Sequence, residues 1–193
     1  MKKIILASKS PRRIEMLKRY FKNLTIYAPD TDEAVNEQDS PETTVMKIAL
    51  EKANAVLNIC NEDGLIIAAD TIVYMDRVMG KPCDFNEGFE MIKSLSGKSH
   101  KVYTGICIID IITNIKVVDY EETEVVFNDL NDDDIIKYLN TGEYRDKAGG
   151  YGIQGYGELL VERINGCYNN VKGLPLNKLN NLMKKHFSIS LLQ

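Results

Sequence analysis

The stretch Leu65–Lys81, LIIAADTIVYMDRVMGK, decides the fold of this chain. Its first five residues, 65–69, are all apolar, and a short uninterrupted run of this kind predicts a buried strand. Asp70 and Thr71 follow at the expected carboxyl end of that strand, which is where α/β folds bind their ligands. Asp70 is therefore a candidate general base or metal ligand. The alternative is that Asp70 caps a surface turn.

A hairpin is predicted between Thr71 and Gly80, with its turn at residues 76–77. The returning arm leads to Gly80, which permits a close backbone approach, and to Lys81, which supplies a positive charge. One hairpin is thus expected to present an acid, Asp70, and a base, Lys81, at the same end.

Length and composition indicate an ordinary globular protein. The chain has 193 residues, of which 44% are hydrophobic and 27% charged, so we expect a single domain over residues 1–193. No apolar stretch reaches the ~18 residues that a membrane span needs. The first apolar run ends after Ala7 and charged residues follow, which argues against a signal peptide and predicts a cytoplasmic protein.

The spacing of the cysteines and histidines argues against a zinc site and against a disulfide framework. The four cysteines are scattered without a CxxC pair, so neither a zinc site nor a disulfide framework is expected. The two histidines lie far apart in sequence. Any metal ion is therefore expected to be a hard cation that binds carboxylate oxygens.

Charge is distributed unevenly along the chain. The net charge is −4, yet residues 1–22 hold eight Lys or Arg and one acid, Glu15. An acidic chain is a poor partner for nucleic acid. A local basic patch suits a small polyanion such as a phosphate ester.

The basic segment contains a predicted strand-to-helix turn, SKSPRR, at residues 8–13. Ser10 is a favourable N-cap, and the proline after it favours the first helical position of a helix that ends near residue 22. The free N–H groups of such a turn can hold an anion, and we expect Ser8, Ser10, Arg12 and Arg13 to surround that point. The alternative is a well-capped surface helix with solvated arginines.

An acidic loop and a long helix come next. Residues 29–40 include five acids, Glu33 among them, and form either a solvated loop or a source of metal-binding oxygens. A helix is predicted from Ser40 to about Cys60, and Lys52 lies on its apolar stripe. A lysine there is costly unless it is paired or reaches water. We expect Lys52 to point into the site; the alternative is a place at the edge of the stripe.

The remaining elements follow from apolar periodicity and turn signals. We predict helices over 86–96 and 132–141 and a final helix that opens at residues 173–176 and runs to about 186. Strands are predicted over 100–110, 115–127 and 159–164, a loop over 166–171 and a frayed tail over 188–193.

The segment Glu143–Gly157, EYRDKAGGYGIQGYG, has five glycines in fifteen residues and is predicted to be a ligand-facing loop. Lys147 is a candidate phosphate ligand, and the Gln154 amide is a candidate for binding a base edge. The alternative is a purely structural glycine turn.

Taken together, these segments resemble the Maf family of nucleoside triphosphate pyrophosphatases. The resemblance covers nearly the whole chain, and its motifs occur in family order: SKSPRR (8–13), EKA (51–53), AADTIV (68–73), GKP (80–82), LSGKSHKVYTG (95–105), DKAGGYGIQG (146–155) and NNVKGLPL (169–176). The resemblance implies an α/β fold with a mixed twisted sheet in two lobes around a central cleft, akin to the inosine triphosphate pyrophosphatases. It also implies hydrolysis of a nucleoside triphosphate to the monophosphate and pyrophosphate.

The resemblance also implies a substrate preference. Arg12, Thr71 and Gln154 match the branch similar to dTTP/UTP pyrophosphatases and differ from the branch resembling 7-methyl-GTP pyrophosphatases. Two departures, Lys98 where arginine is common and 144–145 where a proline-containing pair is usual, bear on fine substrate preference.

In the mechanism that the resemblance implies, Asp70 activates water and Glu33 joins it in binding Mg²⁺ or Mn²⁺. Phosphate oxygens are held by Lys52, Lys81, Arg13, Lys147 and the turn at Ser8 and Ser10, while Arg12, Thr71 and Gln154 contact the pyrimidine. The family also suggests a possible homodimer, and its link to septum formation suggests an alternative, a regulator that binds nucleotides without hydrolysis.

Overall fold

The computed structural model describes residues 2–28, 31, 36 and 38–192. Seven strands lie within this described part: β1 (Lys3–Ala7), β2 (Leu24–Tyr27), β3 (Gly64–Met75), β4 (Arg77–Met79), β5 (Ser99–Asp110), β6 (Lys116–Phe127) and β7 (Val161–Asn165). The helices described are α1 (Pro11–Lys18), α2 (Pro41–Leu57), α3 (Phe85–Leu95), α4 (Asp132–Asn140), α5 (Tyr168–Val171) and α6 (Leu176–Phe187). None of them is both long and apolar enough to cross a bilayer.

The described strands form one mixed sheet in the order β2-β1-β3-β5-β6-β7, with β4 paired to β3. β1 runs parallel to both β2 and β3, and Ile4 pairs with Leu24 on one side and Leu65 on the other. β4 and β7 are antiparallel to β3 and β6. The predicted α/β class with a mixed sheet is therefore confirmed.

The chain divides into two compact units, one formed by 1–70, 104–121 and 173–193, the other by 71–103 and 122–172. The first boundary falls between Asp70 and Thr71, inside β3. The assignment of one domain over residues 1–193 stays a prediction.

In the first unit, the side chains of β1 alternate between two apolar clusters. Ile4 and Leu6 pack with residues of α1 and α6, whereas Ile5 and Ala7 pack with residues of α2. Because successive residues of a strand point to opposite faces, helices cover both faces of the sheet here. This explains why the central strands are continuously apolar.

In the second unit, a separate apolar cluster joins the strands to α3 and α4. Its fully buried members include Ile92, Leu95 and Ile135, and it also contains Tyr151 from the glycine-rich segment. The segment is therefore part of the core of this unit and not only a surface loop.

The prediction that the central strand ends at Asp70 is wrong. β3 continues to Met75, because the next residues are β-branched or aromatic and pair with β4 around Asp76, whose φ is 60°. β1, however, ends at Ala7, which pairs with Ala68. Asp70 thus lies beyond the carboxyl end of β1 although it is inside β3.

Other elements also differ from expectation, among them α2, which ends at Leu57 and not near Cys60. β7 begins at Val161, because residues Gly155–Leu160 form a 3₁₀ helix, and the predicted loop over 166–171 contains α5. α1 ends at Lys18. The predicted frayed tail is packed as far as Leu191, which is 5% exposed and whose N–H donates to Asn180 Oδ1 at 2.9 Å.

Candidate active site

A buried ion pair joins Lys52 of α2 to Asp70 of β3. Lys52 Nζ donates to Asp70 Oδ1 at 2.7 Å, and each side chain is 9% exposed. Both residues follow the periodicity of their elements. Asp70 shares a strand face with Ile66 and Ala68, and Lys52 lies beside Ala53 on the helix face that covers it.

The ion pair decides between the alternatives that the sequence left open for Asp70 and for Lys52. Asp70 is 6% exposed within a strand, so it does not cap a surface turn. Lys52 is buried and paired, so it does not lie at the solvent edge of the apolar stripe. A buried pair is weak evidence for stability, because well-packed apolar side chains often do as well or better. Stability alone therefore does not explain the pair, and both residues stay candidates for chemistry.

The turn after β1 has the predicted position and a different hydrogen-bond pattern. Ser10 has the extended backbone of an N-cap, and its carbonyl accepts from Ile14 N–H at 3.1 Å, but its side chain makes no capping bond. Instead, the Ser10 N–H donates to Ser8 Oγ at 3.2 Å, and Ser8 is buried. The serine hydroxyl that organises this turn is thus that of Ser8.

The two arginines of the turn have different surroundings. Arg12 is half-buried, whereas Arg13 is buried and donates from Nε to the carbonyl oxygen of Gly173 at 2.7 Å. The alternative of two solvated arginines is therefore wrong for Arg13. Its guanidinium connects the start of α1 to the segment before α6.

The remaining predicted site residues lie in the second unit. Thr71 is half-buried in β3, Lys81 is exposed after β4, and Gln154 is half-buried just before the 3₁₀ helix. Lys147 Nζ donates to the Glu143 carbonyl oxygen and, at 2.8 Å, to Asp146 Oδ1. The lysine is thus engaged within the glycine-rich segment.

Three hydrogen bonds anchor the middle of that segment to its own unit. Gly149 N–H donates to the Gly80 carbonyl oxygen at 2.9 Å, and Tyr138 Oη donates to the Gly150 carbonyl oxygen at 3.1 Å. Tyr151 Oη lies 2.6 Å from His100 Nε2. Residues 149–151 are therefore fixed to β5, α4 and the residue before Lys81.

The sequence analysis assigned no role to His100 or to Asn170. Asn170, fully buried, donates from Nδ2 to the Val102 carbonyl oxygen and to Thr123 Oγ1, both at 3.0 Å. Both residues lie in motifs quoted for the family resemblance. No local signal marks either residue, because each has polar neighbours in its motif and only packing brings its partners to it.

His100 gives a testable pH dependence. Burial lowers its pKa from 6.5 to about 4, and its Nδ1 has no hydrogen-bond partner among the described residues. Between these pH values the unfolded chain binds more protons than the folded one, so stability falls as pH falls from 6.5 to 4. We expect His100→Gln to remove up to about 3 kcal/mol of this dependence. Urea unfolding of the wild-type and His100→Gln proteins at pH 7, 5.5 and 4 measures this difference. The prediction is contradicted if the free energy of unfolding changes equally with pH in both proteins.

The described residues offer a limited set of metal ligands. No group of three His, Cys, Asp or Glu side chains among them is placed to hold a metal ion. Glu33 lies outside the described residues. Mg²⁺ commonly binds through one or two carboxylates together with water and substrate phosphates. Asp70 fits an ion shared with a phosphate substrate and does not by itself form a protein-only metal site.

A family model and curated relatives both match nearly the whole chain. A model of the Maf-like protein family matches residues 3–186. The dTTP/UTP pyrophosphatase of Caldicellulosiruptor bescii is 46% identical over 189 residues, covering 96% of this chain and 95% of that protein. The dTTP/UTP pyrophosphatase of Clostridioides difficile is 47% identical over 189 residues, covering 97% of each. Among solved structures, the Staphylococcus aureus Ham1 protein aligns with a TM-score of 0.47 and 17% identity over 81% of this chain and 78% of that one.

The family assignment rests on both the matched model and the relatives of nearly equal length, and the matched residues 3–186 include the paired Lys52 and Asp70. This chain belongs to the Maf-like protein family.

Proposed function

We propose that this chain hydrolyses nucleoside triphosphates, with dTTP and UTP favoured, to the monophosphate and pyrophosphate. The observation that carries the proposal is the near-full-length similarity to proteins named dTTP/UTP pyrophosphatase. The proposed cellular role is the removal of non-standard pyrimidine nucleotides.

Asp70 is the proposed general base. A water molecule attacks the α-phosphorus, the bond from that phosphorus to the bridging oxygen breaks, and pyrophosphate leaves. The water proton passes to the Asp70 carboxylate. Lys52 supports this assignment, because its bond to Oδ1 at 2.7 Å fixes the orientation of the carboxylate. Such positioning is a large part of catalysis in phosphoryl transfer.

The remaining site residues keep their predicted roles as proposals. Phosphate contacts are assigned to Lys52, Lys81, Lys147, Arg13 and the turn at Ser8 and Ser10; pyrimidine contacts are assigned to Arg12, Thr71 and Gln154. The bond from Arg13 Nε to the Gly173 carbonyl oxygen orients this guanidinium at the start of α1. A guanidinium suits phosphate oxygens because it can bind two of them at once.

A divalent cation, Mg²⁺ or Mn²⁺, is the proposed cofactor, held by Asp70 and Glu33. Such an ion, when bound, offsets phosphate charge and polarises the α-phosphorus. A nucleotide is the proposed partner, with neither nucleic acid nor a membrane expected, and a homodimer stays a prediction from the family.

The alternative function, a division regulator that binds nucleotides without hydrolysis, is not favoured. The relatives that match along nearly the whole chain are named as pyrophosphatases. The presence of both Asp70 and Lys52, to which the proposed hydrolysis assigns roles, also speaks against a regulator without activity.

The test is pyrophosphate release with Mg²⁺ or Mn²⁺ from dTTP, UTP, CTP, GTP, ATP and 7-methyl-GTP. We expect dTTP and UTP to give the highest kcat/KM. Turnover mainly of 7-methyl-GTP would retain the reaction and contradict the roles of Arg12, Thr71 and Gln154. Tight nucleotide binding without any product would favour the regulator.

A further inference from the structure

Glu143 joins the two arms of the glycine-rich segment 143–157. Its Oε1 accepts a hydrogen bond from the Tyr156 N–H at 3.3 Å, and its carbonyl oxygen accepts from Lys147 Nζ. Glu143 therefore contacts both the first arm, residues 143–148, and the second arm, residues 155–157. The three hydrogen bonds that hold residues 149–151 involve no residue of the second arm.

The second arm closes directly onto the Glu143 carboxylate. Gly155 has a φ of 67°, and a Cβ built there would lie 2.5 Å from Glu143 Oε1 and 2.9 Å from Oε2. A Cβ at Gly157 would lie 2.1 Å from the Gly152 carbonyl oxygen. Residues 152–157 thus form a tight turn that only glycine permits at these two places. Glu143 fills the space that a side chain at Gly155 would need, whereas the Gly152 backbone fills the corresponding space at Gly157.

Burial of the Glu143 carboxylate against Gly155 is energetically unfavourable for one of its oxygens. Glu143 Oε2 is buried and has no hydrogen-bond partner among the described residues. An unsatisfied buried acceptor is unfavourable and requires an explanation in a native structure. The bond from the Tyr156 N–H to Oε1 offers one, because it keeps the carboxylate against the first turn of the 3₁₀ helix, directly after Gln154.

We propose that Glu143 is a positioning residue for Gln154, which it holds in place through the Tyr156 amide. This inference rests on the proposed function, since it deepens the specificity assigned to Gln154. Glu143 itself touches no reacting atom in this scheme. Its effect is on discrimination between nucleotide bases and on KM more than on the chemical step.

The first measurement is base discrimination by Glu143→Ala. We expect its kcat/KM for dTTP to fall roughly tenfold to a hundredfold, the range for a misplaced contact group, and its dTTP/CTP ratio to fall with it. The conservative Glu143→Gln variant retains an acceptor oxygen and is expected to recover most of the ratio. The matched control is Glu162→Ala, which removes an exposed acid from the same unit and is expected to leave kinetics unchanged.

The second measurement is amide hydrogen exchange, which needs no substrate. We expect exchange at 154–157 to accelerate in Glu143→Ala and to stay unchanged in Glu162→Ala. Unchanged exchange overturns the proposal, and so does accelerated exchange with an intact dTTP/CTP ratio. If Glu143→Ala does not fold, Glu143→Met, which fills a similar space without an acceptor oxygen, takes its place in both measurements with the same expected and contradicting results. If the wild-type chain releases no pyrophosphate, the proposed function fails, and with it the role in discrimination, whatever the exchange shows.

Discussion

Asp70→Asn is expected to lower kcat by ~10²-fold or more, which is the usual range for loss of a general base. The substitution is nearly isosteric, and the amide oxygen of asparagine still accepts a hydrogen bond from Lys52 at the position of Oδ1. The change therefore removes the proton acceptor while keeping the shape of the site. Steady-state pyrophosphate release from dTTP and UTP measures the effect.

Two controls separate chemistry from folding in this experiment. Asp76→Asn makes the same substitution six residues along β3–β4, at an exposed turn residue whose φ of 60° asparagine adopts readily, and should leave kcat unchanged. Thermal unfolding of Asp70→Asn establishes that the variant is folded at the assay temperature. Near-normal turnover by a folded Asp70→Asn protein would rule out Asp70 as the base.

Local signals in the sequence located most elements of the first unit. The start of α2 was predictable because Ser40 and Pro41 are a favourable cap and first residue, and the Ser40 side chain does accept from the Thr43 N–H at 3.3 Å. The apolar stripe of α2 then placed Lys52 on its buried face. Its partner was not predictable, because Asp70 is 18 residues away and their meeting depends on how α2 packs on β3.

The errors of the sequence analysis have related physical causes. A polar residue such as Asp70 is a natural place to end a predicted strand, yet β3 continues because pairing with β4 stabilises the next residues. The tail after α6 was expected to fray, but the burial of Leu191 fixes it. His100 received no role because a single histidine in a strand has no local signature, and only packing brings Tyr151 to it. Tertiary contacts decided each of these cases.

The second large effect is expected for Lys52→Met, in which the free energy of unfolding should fall by about 3–5 kcal/mol. Methionine matches the length of the lysine stem, so the packing of α2 is largely kept. The variant leaves the buried Asp70 carboxylate without the ammonium group 2.7 Å away. Removal of one partner from a buried ion pair carries the desolvation cost of the remaining charge. Urea unfolding at pH 7 measures the loss.

Lys47→Met is the matched control, since Lys47 lies on the same helix and pairs with Asp39 at 2.6 Å while its side chain is 55% exposed. A solvent-exposed pair contributes at most about 1 kcal/mol, so this variant should stay within that range.

The double variant Lys52→Met/Asp70→Leu should regain most of the lost stability, because apolar residues can replace a buried pair at little cost. It should nevertheless remain inactive. Equal stability of Lys52→Met and Lys47→Met would mean that the buried charge is compensated elsewhere, and it would contradict a large energetic role for the Lys52–Asp70 pair.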